Sequence, residues 1–302
     1  MVLQYVIDGV SLGGLYALAA LGIGLIFGIM RLINFAYGDY ITWGAYALVV
    51  PSSAQVATKF IGNWPAPLLI AAIVAIIMLL ALTTERVAFR PMRNAAPATL
   101  LISSFAVSYL LQNVLLLVHS GRPKAVNIWP GMAEHLTWAG LRVPLLDLVT
   151  ILVCLCLLGG LAVFLRKSAY GIQMRAAAED FRMARFLGVR ANTVIALAFA
   201  ISGLLAAVVA LLLVTKTGVL DYRMGIPLVL VAFVATVVGG MGSIVGAVLG
   251  GFVIGFFTVI LQAILPEGLR SARDAFVFGL VIFILVLRPQ GLMQVRAMKQ
   301  RV

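Results

Sequence analysis

Residues 166–190, RKSAYGIQMRAAAEDFRMARFLGVR, hold eight of the 32 charged residues in the chain: Arg166, Lys167, Arg175, Glu179, Asp180, Arg182, Arg185 and Arg190. Long apolar runs flank the segment on both sides. A charged, helix-forming stretch between two membrane-competent runs is a surface for something outside the bilayer to grip, so its chemistry is recognition rather than bond-making. On a helical wheel Met174, Ala177, Phe181, Ala184 and Gly188 share one face. Arg175 and Glu179 are spaced i, i+4, and Glu179 and Arg182 i, i+3, so each pair is placed to attract. Met183, Phe186 and Leu187 lie off the apolar stripe, which leaves more apolar surface than one contact with the chain's own bundle would bury. Such a helix either docks in a groove of a soluble partner or lies in the headgroup region. The wheel alone leaves both open.

Three further constellations carry chemical potential. In RLINFAYGD, 31–39, Asn34 and Asp39 are expensive in hydrocarbon and would suit a water-lined path or gate. Both are also good helix caps, and a short loop with capped ends is the reading the residues favour. In VVGGMGSIVGAVLGGFVIG, 237–255, Gly242, Gly246 and Gly250 are four apart and form a bare stripe where another helix can approach closely. That stripe fits a subunit interface or gate, and equally ordinary packing within the bundle. ERVAFRPMR, 85–93, follows an apolar run with one acidic and three basic residues, an anchor at the membrane surface or a partner contact. Pro91 stops any helix nearby.

Other chemistry is missing. There is no G-x-x-x-x-G-K-[ST] phosphate loop, HExxH, paired-Cys zinc pattern or nucleophile elbow, so neither an enzyme nor a cofactor or metal site is expected. Cys154 and Cys156 are two apart on a helix and point in different directions, as small apolar fillers would. His119 and His135, in the longest loop, are expected to be exposed and carry no assigned role.

The elements that must position these residues follow from composition. The chain has 302 residues, 63% of them hydrophobic and 11% charged, against about 25% charged in ordinary globular domains. Uncharged runs cover 9–30, 40–58, 60–84, 94–121, 148–165, 191–215 and 224–266. Roughly 20 apolar residues cross a bilayer, so most of these runs qualify. The last is too long for one crossing and is split at GGMGS, where helix propensity is poor. A final helix must start near Leu269. The fold expected is an all-α polytopic membrane protein of about eight or nine transmembrane helices. It forms a single domain over 1–302, with 166–190 as a cytoplasmic segment. With that segment inside, 14 of the 22 Lys and Arg fall inside and eight outside. Those inside include Arg296, Lys299 and Arg301 of the C-terminal tail, so the N-terminus is expected outside and the C-terminus in the cytoplasm. The opening MVLQYVIDG has no basic region of the kind that precedes a removable leader. The +12 net charge sits in short loops without aromatic interleaving, so membrane topology rather than nucleic acid explains it.

Taken together, these pieces resemble the membrane permease subunits of the branched-chain amino acid ABC importers, the high-affinity leucine/isoleucine/valine type. The resemblance rests on GVSLGGLYALAALGIGLIFGIMRLINFAYGDY at 9–40, ERVAFRPMR at 85–93, YGIQMRAAAEDFRMARFLGV at 170–189, VVGGMGSIVGAVLGG at 237–251 and LRPQGL at 287–292. The segments occur in order and cover nearly the whole chain. One departure is Tyr37, where the family usually has His. The resemblance implies a second related permease subunit, two cytoplasmic ATP-binding subunits and a periplasmic substrate-binding protein, all acting at the bacterial inner membrane. It also implies a coupling helix in the ATPase cleft, mapped here to Arg175, Ala176, Ala178, Glu179, Ala184 and Gly188, and a path or gate at Asn34, Tyr37 and Asp39. Substrates implied are branched-chain amino acids or related small polar solutes such as urea, amides and aromatic acids. The competing class is an ion-coupled secondary transporter using Asp39 or Asp147. Such carriers place their site at the bilayer midplane, whereas the run boundaries put Asp39 near a helix end. A purely structural membrane subunit is the third.

Overall fold

The computed structural model of the protein describes residues 2–52, 54–93, 95–138 and 141–293; the basic tail residues Arg296, Lys299 and Arg301 lie outside these. The helices are α1 (Val2–Met30), α2 (Tyr37–Tyr46), α3 (Ala66–Thr84), α4 (Pro97–His119), α5 (Leu145–Lys167), α6 (Ala169–Glu179), α7 (Phe181–Phe186), α8 (Ala191–Thr217), α9 (Gly225–Gly239), α10 (Ile244–Ile264) and α11 (Arg273–Leu287). Among the described residues six helices are long and apolar enough to cross a bilayer: α1, α3 with its π-helical continuation to Phe89, α4, α5, α8 and α10. The remaining apolar segments, α2, α9 and α11, have 10, 15 and 15 residues. The segments expected from sequence therefore comprise six full-length helices and three short ones.

The uncharged run 40–58 is the main departure. Its helix stops at Tyr46, and residues 47–52 and 54–64 form a loop with a 3-10 turn at Ile61–Asn63, bridged at Val49–Lys59 and Val56–Ala125. Pro51 disfavours helix at the residue before it, so an apolar run alone could not carry the helix further. At the same end of the molecule β1 (Lys124–Ala125) pairs with β4 (Val219–Leu220), and β2 (His135–Trp138) with β3 (Leu141–Pro144). Residues 166–190 lie at the opposite, basic end.

Packing centres on α1, whose neighbours are α10, α8, α9 and α5. Lipid offers no hydrophobic drive between helices, so close approach of small residues does the work. Gly246 and Gly250 of α10 meet the carbonyls of Gly239 and Ala235 on α9, and a Cβ at either glycine would overlap them. Gly242 does not belong to this stripe. It sits in the turn between α9 and α10 with φ +90, a conformation that favours glycine. The helix begins only at Ile244, where the Ser243 hydroxyl accepts from the Gly246 N–H at 3.0 Å. Cys154 is buried and Cys156 exposed, as their spacing predicts.

Polar ties hold both ends. At the basic end Glu85, 3% exposed, pairs with Arg93, which also donates to the Asn192 amide oxygen at 2.5 Å. ERVAFRPMR thus fastens α3 to the start of α8. At the other end Asp147 accepts from the Ser11 hydroxyl at 2.6 Å and from the Lys216 ammonium at 3.1 Å, linking α5, α1 and α8.

Two stability predictions follow from this packing. Gly250→Leu must push α9 from α10, lowering stability by about 1–3 kcal/mol. Gly159→Leu, with open space around the position, should change it by less than about 0.5 kcal/mol. Thermal unfolding in detergent compares the two, and equal midpoints would contradict the packing. Glu85→Gln alone strands a largely buried guanidinium and should cost roughly 3–5 kcal/mol, while Glu85→Gln with Arg93→Met should recover most of that loss. The same unfolding measurement reads the difference.

Candidate functional site

The chain leaves α1 through Arg31, a non-glycine residue at φ +55, and re-enters the bundle as an irregular stretch, 32–36. Its backbone finds partners on α4: the Ser104 hydroxyl accepts from the Phe35 N–H at 3.4 Å and lies 3.1 Å from the Ile33 carbonyl, toward which it can donate. The α2 helix then begins inside the protein rather than at its surface. Asn34, Tyr37 and Asp39 are 1%, 0% and 1% exposed.

The capping role expected for Asn34 and Asp39 is not what the structure shows. The N-cap of α2 is Ala36, with no side-chain hydrogen bond. Both amide atoms of Asn34, the Tyr37 hydroxyl and both Asp39 carboxylate oxygens have no hydrogen-bond partner. Leaving a buried polar group unpaired costs roughly 1–3 kcal/mol, and more for a charge. Asp39 does sit near a helix end, in the first turn of α2, but that end lies inside the bundle. Its carboxylate faces Ser108 and Gln112, and Ser108 is the twelfth residue of the 23-residue α4, at mid-depth in the bundle.

A second short helix meets α2 there. Gly225, the first residue of α9, lies against Gly38, so tightly that a Cβ on Gly225 would overlap the Gly38 carbonyl. Thr42 joins the two: its hydroxyl donates to the Gly38 carbonyl at 3.1 Å and accepts from the Gly225 N–H at 3.1 Å. Two short helices therefore begin side by side within the protein, with a cluster of unpaired polar side chains around the first.

At the basic end, 166–190 forms two helices rather than one. The Ser168 hydroxyl caps α6 by accepting from the Gly171 N–H at 2.9 Å. Asp180, at φ −146 and ψ 101, ends α6 and caps α7 by accepting from the N–H groups of Arg182 and Met183 at 2.9 and 3.0 Å. The single continuous wheel is broken at that residue. Even so, Met174, Ala177 and Ala184 all point inward, 2%, 2% and 3% exposed. Among the described residues neither the Arg175–Glu179 nor the Glu179–Arg182 spacing closes into an ion pair.

Of the residues assigned to coupling, Arg175, Glu179 and Gly188 are exposed, Ala176 and Ala178 half-buried, and Ala184 buried. Ala184 thus seats α7 on the bundle and is not open to a partner. Gly188 follows α7 at φ +88 with open space around it. The outward surface instead carries Met183, Phe186 and Leu187, 59%, 79% and 85% exposed. On its inner side α6 contributes Met174, Arg175 and Ala178 to a small apolar cavity shared with Gly28 and Ile29, the last turn of α1. The 31–36 stretch starts directly beyond.

Several buried polar residues were not signalled by sequence. His119, expected exposed, is 6% exposed with its ring 4.8 Å from that of Tyr46, edge to face. Lys124 is fully buried and donates to the Ser52 carbonyl. Both sit at the end of the bundle where the loop after α2 meets 124–127, a contact that no run of charges or apolar residues announces.

Comparison with known proteins agrees with this architecture. Residues 5–286 match the family described as branched-chain amino acid transport system / permease component. The high-affinity branched-chain amino acid permease protein BraD of Pseudomonas aeruginosa is 33% identical over 296 residues, 96% of this chain and 95% of the relative. LivH of Escherichia coli K12 is 34% identical over 298 residues, and LivH of Salmonella typhimurium 35% over 301, each again covering 96% of this chain and 95% of the relative. No solved structure matches. Unbroken coverage at this identity, on a bundle of apolar helices interrupted at mid-depth, makes the chain a member of the permease components of branched-chain amino acid transport systems.

Proposed function

We propose that this chain is one membrane subunit of an ATP-driven importer for branched-chain amino acids or related small polar solutes such as urea, amides and aromatic acids. It works by alternating access beside a second related permease. Two cytoplasmic ATP-binding subunits hydrolyse ATP, and a periplasmic binding protein delivers the solute. The N-terminus then lies outside and the C-terminus in the cytoplasm of a bacterial inner membrane.

The observation that carries this reading is the pair α6–α7. Met183, Phe186 and Leu187 stand exposed among Arg175, Arg182 and Arg185 at the basic end. Such a surface fits a groove on a soluble partner, with apolar anchors and a charged rim. Its inner side touches the last turn of α1, so a pull on α7 reaches the interrupted stretch 31–36 and its neighbours Asn34, Tyr37 and Asp39. Ligand-driven rocking of packed helices is a common way to switch access. Arg175, Glu179 and Gly188 would take part at the rim, with Ala176 and Ala178 supporting and Ala184 anchoring the helix to the bundle.

Two measurements test this. In vesicles, uptake should require ATP and the separately added ATP-binding subunits; accumulation driven by an ion gradient alone would favour a secondary carrier and overturn the proposal. Phe186→Ser with Leu187→Ser removes exposed apolar surface and should shift folding stability by less than about 0.5 kcal/mol. It should nevertheless cut co-purification of the ATP-binding subunits by roughly tenfold or more, about 1.4 kcal/mol of docking energy. Glu179→Lys and Gly188→Trp should likewise uncouple ATP hydrolysis from uptake. Normal co-purification and normal stimulated ATPase activity in all three would contradict the assignment.

A further inference from the structure

The outward face of α4 differs from those of α3, α5, α10 and α11. On α3, α5, α10 and α11 the exposed positions away from the helix ends are apolar, Gly or Cys. On α4 the 71%-exposed Tyr109 stands at mid-helix, beside the partly exposed Gln112 and Asn113. Amide side chains at membrane depth face protein or water rather than lipid. Directly behind them lies Asp39. Gln112 donates to the Ser108 hydroxyl at 2.9 Å, and this pair is what separates the unpartnered Asp39 carboxylate from the α4 surface.

Resting on the solute-permease proposal above, we infer that this face of α4 lines the translocation path against the second permease, and that Asp39, reached past Gln112 and Ser108, receives the ammonium group of a zwitterionic amino acid. The chemistry matches on all three counts. Asp39 is a buried acceptor that makes no close hydrogen bond and has no countercharge beside it among the described residues, and a buried carboxylate without a countercharge is unfavourable until a cation or a proton joins it. Donors for the substrate carboxylate stand on the same face: the Asn113 amide, held by the Tyr109 carbonyl at 2.7 Å, and the Gln112 amide. For an alkyl side chain the same face offers Phe105, stacked on Phe35 with ring centroids 4.4 Å apart. A solute without a positive group leaves Asp39 unsatisfied, which is a means of discrimination that acts after delivery by the binding protein.

The test uses the complete transporter in vesicles, with L-leucine, L-isoleucine and L-valine as probes. The background is Cys154→Ala with Cys156→Ala, carrying Tyr109→Cys, Asn113→Cys or, as a lipid-facing control, Leu152→Cys. A membrane-impermeant thiol reagent should label the first two at least roughly tenfold faster than the control. The probe that is transported should slow that labelling during turnover. Labelling of positions 109 and 113 no faster than 152 overturns the inference whatever happens to Asp39 variants. Asp39→Asn in the assembled complex should reduce uptake at least roughly tenfold and abolish the protection, and Asp39→Glu should restore part of both. Unchanged uptake in Asp39→Asn overturns the ammonium assignment while leaving the permease proposal standing. A wild-type complex that accumulates none of the three amino acids, yet takes up urea, an amide or an aromatic acid with ATP, overturns the ammonium assignment and leaves the permease proposal standing.

Discussion

Hydrogen-bonding of interrupted backbone where water is scarce is the constraint on which the rest of this structure depends. Inside hydrocarbon an unpaired N–H or C=O costs several kcal/mol, so a helix can stop at mid-depth only where protein supplies partners. Here those partners are few and specific. The Ser104 hydroxyl serves the Ile33 and Phe35 backbone, and the Thr42 hydroxyl serves Gly38 and Gly225 at once. At the far end of α9 the chain comes back after α11 to cap it, with the Leu292 and Met293 N–H groups donating to the Val238 and Gly239 carbonyls at 2.8 and 3.0 Å. The stretch before α2 and both ends of α9 are thus held by a hydroxyl or a backbone group from elsewhere in the chain.

Such ties are strong enough to define one arrangement and few enough to exchange for another. The neighbouring core repeats the close backbone contact that Gly38 and Gly225 make once. Where α10 meets α9 and α1, backbone lies against backbone with no side chain between, and that contact has little room for adjustment. A rigid body of α1, α10 and the end of α9 packed on it, next to a stretch at 31–46 and the start of α9 tied by few hydrogen bonds, is a physical basis for motion confined to one place. The small helix α6 touches the last turn of α1, immediately before that stretch. Force applied at the basic end therefore arrives where the polar side chains are unpaired.

Much of the scaffold was legible in the sequence because it follows from length and composition. GGMGS marked the boundary between α9 and α10, and the density of charge in 166–190 marked a segment outside the apolar bundle. Met183, Phe186 and Leu187 could be picked out by the wheel because those three residues lie within one helix and the residue that follows it. What failed did so for local reasons. Asp180 looks like one more charge in a helical pattern, yet its carboxylate is a better cap than a helix interior residue, and it divides α6 from α7. Gly242 keeps the four-residue spacing of Gly246 and Gly250 but lies in a left-handed turn. The uncharged run 40–58 reads as one apolar segment, and Pro51 is the one local sign that its second half is a loop.

The depth of Asn34 and Asp39 was the least legible feature. Good capping residues at the edge of an apolar run suggest a surface loop, and only tertiary contact with Ser104, Ser108 and Gln112 places them in the interior. The residues that face them lie some 70 positions away on α4, a helix whose own sequence reads as an ordinary span.

Amide hydrogen exchange in the assembled transporter addresses the central claim, that the interrupted helices are the moving part, most directly. With and without nucleotide, the amides of 33–42 and 225–229 should change their exchange rates by roughly tenfold or more, while those in the middle of α1 and α10 stay protected. Uniform protection of 33–42 and 225–229 in both nucleotide states, during measurable transport, would contradict the account.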